Sequence, residues 1–391
     1  MKNSTSLPKL LPVLFGFFIM GFVDVVGIAT NYVKKDFQLT DTIANLLPMM
    51  VFLWFLVFSV PTGLLMNKIG RRKTVILSGI ITFLGLLLPF LSYHYSLILL
   101  SFALLGIGNT ILQVSLNPLL TNVVSGDKLT SSLTLGQFIK AGASFLGPVI
   151  AAWAASNLAS WKYIFPVFAI TTLVSSLWLL LIPINEVPSS EKTSSFKECF
   201  GLLKDKTIFI FFLGILFVVG VDVSLNTTIP KLLIERFNLP LETAGYGTSL
   251  YFAARTLGTF IGAILLAKIS ERNYFITSMI VATIALITML IAKDIWFVRI
   301  LIFIIGFSIA SVFSIIFSAA LKHKPDYYNE ISGLMVMGIS GGAFITFVVG
   351  VVSDISGGQV GGLAVLLVTF AYLFFSAISI KEKVSTDKLQ R

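Results

Sequence analysis

Twelve stretches of this chain are apolar for long enough to cross a lipid bilayer as helices. They run over residues 11–33, 43–66, 74–93, 96–123, 131–155, 162–184, 207–233, 243–268, 274–292, 295–320, 331–353 and 362–380. About 20 apolar residues, each rising about 1.5 Å along a helix, span the hydrocarbon core. No water reaches the backbone there, so runs of this length predict helices that satisfy their own N–H and C=O groups. The expected fold class is an all-α membrane protein. Composition agrees, because only 12% of residues are charged, about half the share of a soluble domain. The first run, Leu11–Val33, is long for a signal-peptide core and lacks an obvious small-residue cleavage site, so it is expected to be a retained span.

The connections are short except for Asn185 to Lys206, which is polar and rich in Ser, Lys and Glu. It divides the runs six and six. The expected domains are an N-terminal six-helix bundle over 1–184, a cytoplasmic linker over 185–206 and a C-terminal six-helix bundle over 207–391.

Of the 28 Lys and Arg residues, six fall in loops or at run ends on the side opposite the termini (Lys34, Lys35, Lys162, Lys231, Arg236 and Lys293). Three lie deeper inside runs (Lys140, Arg255 and Arg299), and the other nineteen are on the termini side. The positive-inside rule then predicts a multi-pass protein of the cell inner (plasma) membrane with both termini cytoplasmic. It also accounts for the net charge of +10, so no nucleic-acid partner is expected. The bilayer is an expected partner, and the chain is expected to be monomeric.

The halves resemble each other. A shift of 200 places Phe37 on Phe237, Leu39 on Leu239, Ala44 on Ala244, Phe52 on Phe252, Lys68-Ile69 on Lys268-Ile269, Arg72 on Arg272, Gly106 on Gly306 and Gly142-Ala143 on Gly342-Ala343. One offset across five spans implies parallel halves related by an axis along the membrane normal. A duplicated helical scaffold without transport, such as a membrane enzyme or receptor, would share that pattern. It should also carry a catalytic cluster or a soluble sensor domain, and neither is found. The single Cys199, the widely separated His94 and His323, and the lack of HExxH or Walker patterns point to no metal, no cofactor and no enzyme activity.

The loop between the second and third runs reads Gly63-Leu64-Leu65-Met66-Asn67-Lys68-Ile69-Gly70-Arg71-Arg72-Lys73. It resembles the signature of the major facilitator superfamily, Gly-x-x-x-Asp-Arg/Lys-x-Gly-Arg-Arg/Lys-Arg/Lys, with Asn67 in place of the acid. The resemblance implies twelve transmembrane helices in two pseudo-symmetric six-helix bundles. It also implies a gating role for Gly63, Asn67, Gly70, Arg71 and Arg72, without a charge-paired latch at Asn67. Gly106-Ile107-Gly108, Asn117-Pro118, Leu133-Thr134-Leu135-Gly136-Gln137 and Phe37-Gln38-Leu39-Thr40 resemble the fucose permease branch, the fucose–galactose–glucose:proton symporters. That branch's acid in span four falls here on Gln113, and its acid in span one falls near Gly27, three residues after Asp24. Its sugar-binding Gln in span five is matched by Gln137, and the polar residue three further on is Lys140.

Charges at membrane depth normally face a partner or a wet cavity. Asp24 and Lys140 lie near the middle of spans one and five, and an Asp24–Lys140 ion pair is expected there. Asp222 and Arg255 lie at matching depth in spans seven and eight and should form a second pair. All four are candidates for proton coupling. Amides suit sugar hydroxyls, so Asn31, Asn109, Gln113, Asn117, Gln137, Asn226 and Thr227 are candidate binding residues, with Tyr251, Phe22, Trp54 and Phe252 as aromatic surfaces. The expected function is a proton-coupled symporter of a monosaccharide or related hydroxylated solute. A proton-driven drug antiporter is a rival, although Gly147-Pro148-Val149-Ile150-Ala151-Ala152 keeps only half of the antiporters' Gly-Pro-x-x-Gly-Gly stretch. A carrier of carboxylate sugars held by Lys140 or Arg255 is another, and sodium coupling a third.

Overall fold

The computed structural model describes residues 7–124, 129–184, 196–266, 269–324 and 327–380. Among them are twelve helices long and apolar enough to span a bilayer: α1 (Leu7–Phe37), α2 (Asp41–Gly63), α3 (Arg71–Leu91), α4 (Tyr95–Leu120), α5 (Leu135–Asn157), α6 (Trp161–Leu181), α7 (Lys206–Phe237), α8 (Leu241–Leu266), α9 (Glu271–Ile291), α10 (Ile295–Ala320), α11 (Gly333–Ser356) and α12 (Gln359–Ile378). They match the twelve apolar runs to within a few residues at each end. Half of the expected linker, residues 185–195, lies outside the described residues; beyond it comes a short helix, Phe196–Gly201.

Local chemistry sets the helix ends. Thr40 accepts from the Ile43 amide at the start of α2, and Asp205 accepts from the Thr207 and Ile208 amides at the start of α7. Ser270 and Asp294 do the same for α9 and α10. These caps satisfy amides that have no partner within the helix.

The expected pseudo-symmetry is visible in the backbone. α1 and α7 both end on a left-handed residue, Gln38 and Asn238, each with φ of 50° and 200 positions apart. Gly106 on α4 lies so close to α2 that a Cβ there would overlap the Val51 carbonyl. Gly306 on α10 meets the Tyr251 carbonyl of α8 in the same way, and Tyr251 is Val51 shifted by 200. Each pair of helices therefore approaches through the same missing side chain.

Two hydrophobic cores follow. One is built mainly from α1–α6, the other from α7–α12. The two six-helix bundles meet where α1 packs on α7, α2 on α11 and α5 on α8. Large apolar side chains such as Ile170, Leu181, Ile284 and Val368 stand exposed on outer faces, as lipid contact requires. With twelve described spans the start of α1 and the end of α12 lie on one side, called the termini side; the opposite one is the far side.

Candidate functional site

α1 is not α-helical throughout. Residues Gly21–Val25 form a 3₁₀ turn at mid-span. Backbone carbonyls loosened at membrane depth need partners from neighbouring helices. Asn109 of α4 donates to the Met20 carbonyl at 3.0 Å, and Asn226 of α7 donates to the Asp24 carbonyl at 2.8 Å. Gln113 donates to Asn109 Oδ1 at 2.7 Å, and Asn117 is linked to the Gln113 carbonyl at 3.5 Å. Two turns beyond Asp24, Asn31 donates to the Gly27 and Thr227 carbonyls at 2.8 and 3.2 Å. Asn31, Asn109 and Asn226 are thus buried holders of α1, whereas Gln113 and Asn117 remain half-exposed.

Gly27 is required by this crossing, because a Cβ there would overlap the Asn226 amide. The position where the fucose permease branch places its acid therefore has no room for one here. The carboxylate stands instead at Asp24, on the 3₁₀ turn, where residues three apart stack.

The expected Asp24–Lys140 ion pair is not made. Asp24 accepts from Ser144 Oγ at 2.5 Å, and no ion pair within 4.0 Å joins it to Lys140 among the described residues. Gly21 explains the exchange. A Cβ there would stand 2.5 Å from the Lys140 carbonyl, so α5 comes close enough for the short Ser144 side chain to reach the carboxylate. The Asp222–Arg255 pair does form, at 2.6 Å, with Tyr251 donating to the other Asp222 oxygen at 2.5 Å. Asp24, Lys140, Asp222 and Arg255 lie within electrostatic reach of one another. Two expected pairs are thus one cluster of four charges, drawn from α1 and α5 of one bundle and α7 and α8 of the other. All four side chains are mostly, but not fully, buried.

Gln137 is exposed and shares a helical stripe with Lys140 and Ser144. Tyr251 is fully buried, and Phe252 packs edge-on against it at 5.5 Å. Phe22 stacks on Phe168 at 3.8 Å within its own bundle, so it is core rather than an open platform. Trp54 packs against Phe58.

The basic loop folds as a tight corner. Gly70 takes φ of 89°, which favours glycine. Arg71 donates to the Pro118 carbonyl and Asn122 of the α4 end, and Arg72 to the Leu179 and Leu180 carbonyls at the α6 end. Cations at helix C-termini satisfy their last carbonyls. Gly63 has no atom within 4 Å of an added Cβ; the Asn67 side chain lies outside the described residues.

Sequence reasoning missed the partner Ser144 and a polar network on the far side. Asp41 accepts from Lys34 and Lys231, both at 2.7 Å, and from Gln359 at 2.8 Å. Asp354 of α11 accepts from the Asp41 and Thr42 amides at 2.9 and 2.7 Å and from the Thr42 hydroxyl. Asn45 donates to the Thr346 carbonyl at 2.9 Å and accepts from Lys231 at 3.1 Å. Each of these contacts except Lys34–Asp41 joins one bundle to the other. In sequence Asp41 reads only as an acid in a helix's first turn, so its second role leaves no local signal.

This architecture has relatives. The sequence model of the Major Facilitator Superfamily matches residues 13–347. A glucose/galactose transporter of Brucella abortus is 26% identical over 378 residues, 92% of this chain and 90% of that protein. The crystal structure of the E. coli fucose:proton symporter FucP superposes with a TM-score of 0.71 at 17% identity, covering 97% of this chain and 100% of that one. The nucleoside transporter NupG gives 0.79 at 13% identity, over 96% and 100%. Twelve spans in two symmetric bundles, and a family match over most of the sequence, establish that this chain belongs to the Major Facilitator Superfamily and is not an enzyme.

Proposed function

We propose that this protein is a proton-coupled symporter that takes up a monosaccharide or related hydroxylated solute by rocking its two bundles about one central site. The observation that carries the reading is the cluster of Asp24, Lys140, Asp222 and Arg255 where the bundles cross. Ionisable groups at this depth are costly and mark a solute or proton path. Asp222 is held by Arg255 and Tyr251, whereas Asp24 accepts only a hydroxyl from a side chain. Asp24 is therefore the group free to take up and release a proton. Gln137 lies one helical turn from Lys140, and Gln113 and Asn117 follow Asn109 along α4; together they offer amides for hydroxyls. The Brucella relative, a glucose/galactose transporter, supports the substrate class, and the name of the fucose:proton symporter supports the coupling ion.

The reading includes an inner-membrane location with cytoplasmic termini, supported by the Lys and Arg distribution. It includes bundles over 1–184 and 207–391 joined by a cytoplasmic linker. The far side is then outside, and the Asp41 network is the closed outer door. The Gly63–Arg72 loop acts as a cytoplasmic gating element.

The test is uptake of labelled glucose, galactose and fucose into proteoliposomes with and without a pH gradient. Uptake is expected to follow the proton gradient and ignore sodium. In Asp24→Asn, gradient-driven accumulation should disappear while exchange of substrate across the membrane persists. Full accumulation by that variant would remove Asp24 from the mechanism.

A further inference from the structure

Donors and acceptors in the central cluster are unevenly matched. Asp222 is occupied on both oxygens, by Arg255 and by Tyr251. Asp24 is occupied by Ser144. On the cation side, Arg255 uses one nitrogen for Asp222, and its Nε is buried without a partner. The Lys140 ammonium makes no hydrogen bond or ion pair among the described residues. A charged donor left unmatched at membrane depth is costly unless an acceptor arrives. Two such donors stand here on opposite bundles, Lys140 on α5 and Arg255 on α8, where those helices pack together.

We propose, resting on the transport reading above, that among the hydroxylated solutes it admits the preferred one is a sugar acid whose carboxylate bridges Lys140 Nζ and the guanidinium of Arg255. Its hydroxyls meet the amides of Gln113, Asn117 and Gln137. A neutral sugar offers hydroxyls to both cations but no charge, and charge-assisted hydrogen bonds are about twice as strong as neutral ones.

Charge balance then links solute to proton. With Asp24 ionised, the two acids and two bases sum to zero. With a proton on Asp24 they sum to plus one, and an entering carboxylate restores neutrality. The anion therefore binds the protonated site in preference, and each ligand strengthens the other's binding by the same factor. One proton and one monovalent anion cross together and no net charge moves. The carboxylate also draws α5 and α8 together, which gives the occupied site a differential preference for the occluded arrangement.

The experiment uses the full chain in proteoliposomes, with D-glucuronate and D-galacturonate as probes beside D-glucose and D-galactose. A pH gradient should drive sugar-acid uptake, and a potassium–valinomycin potential at constant pH should leave it unchanged. Lys140→Gln should weaken sugar-acid binding by about ten- to a hundredfold, the range of one charge-assisted hydrogen bond. Lys140→Arg should recover most of it, which separates lost charge from misfolding. Uptake of neutral sugars with no uptake or competition by sugar acids overturns this inference and leaves the transport reading standing. Sugar-acid uptake driven by the potential, or equal in Lys140→Gln, also overturns it. Transport of neither class defeats the transport reading and the inference with it.

Discussion

Replacing Asp41 with Asn tests how the far side is held shut. Asp41 and Lys231 are each only 6% exposed, and their ion pair is 2.7 Å long. Asn keeps the volume and an acceptor but removes the charge. Lys231 is then a buried ammonium that keeps only neutral amide acceptors, among them Asn45 at 3.1 Å. Breaking one side of a buried pair costs about 3–5 kcal/mol, mostly from the charge left behind. Lys34 adds little, because its side chain is 31% exposed and water screens it. The cost falls only on the far-side-closed state, since opening rehydrates these groups. At about 3 kcal/mol the closed-to-open ratio drops by about a hundredfold. Spin labels at Leu158→Cys and Val360→Cys, in a Cys199→Ser background, report the gap. Both positions are exposed and lie at the far end of opposite bundles. The parent should show one short distance, and Asp41→Asn a longer population. Adding Lys231→Met should restore the short one by removing the stranded charge. An unchanged distribution in a folded Asp41→Asn protein would refute the reasoning.

Gly27→Ala should lower thermal stability by about 1–3 kcal/mol, the usual cost of overpacking, and abolish uptake, because the new methyl overlaps Asn226. Gly142→Ala, with nothing within 4 Å of the added carbon, should melt like the parent in the same scanning-fluorimetry run. On the termini side, burial works against the Asp205 carboxylate. Hydrogen bonds from Lys324, the Ile208 amide and His323 outweigh it and hold the carboxyl well below the usual carboxylate range. A depressed folded value means a contribution that is complete above about pH 4 and lost as pH falls toward the depressed value. Asp205→Asn should therefore melt below the parent at neutral pH, with the gap narrowing in acid; a gap constant from pH 7 to pH 3 would contradict this.

The amino-acid sequence alone dictates the class of fold. Twelve apolar runs admit only spanning helices, because hydrocarbon leaves backbone polar groups no other partners. It also carried the duplication, since the single offset of 200 falls on Gln38 and Asn238 and on the glycines at the matching crossings. It marked Asp24, Lys140, Asp222 and Arg255, because a charge inside an apolar run stands out regardless of neighbours. Tertiary structure decided who meets whom. Asp24 takes Ser144 rather than Lys140 because Gly21 lets α5 approach too closely for the longer side chain to be needed. Gly27 leaves no room for an acid because Asn226 of the other bundle occupies its face. Asp41 becomes the centre of a bridge between bundles only when residues some 200 and 300 positions away fold back to it. Depth along one helix is written locally in the chain, but azimuth and crossing distance depend on small residues in both partners, and no single helix contains that information.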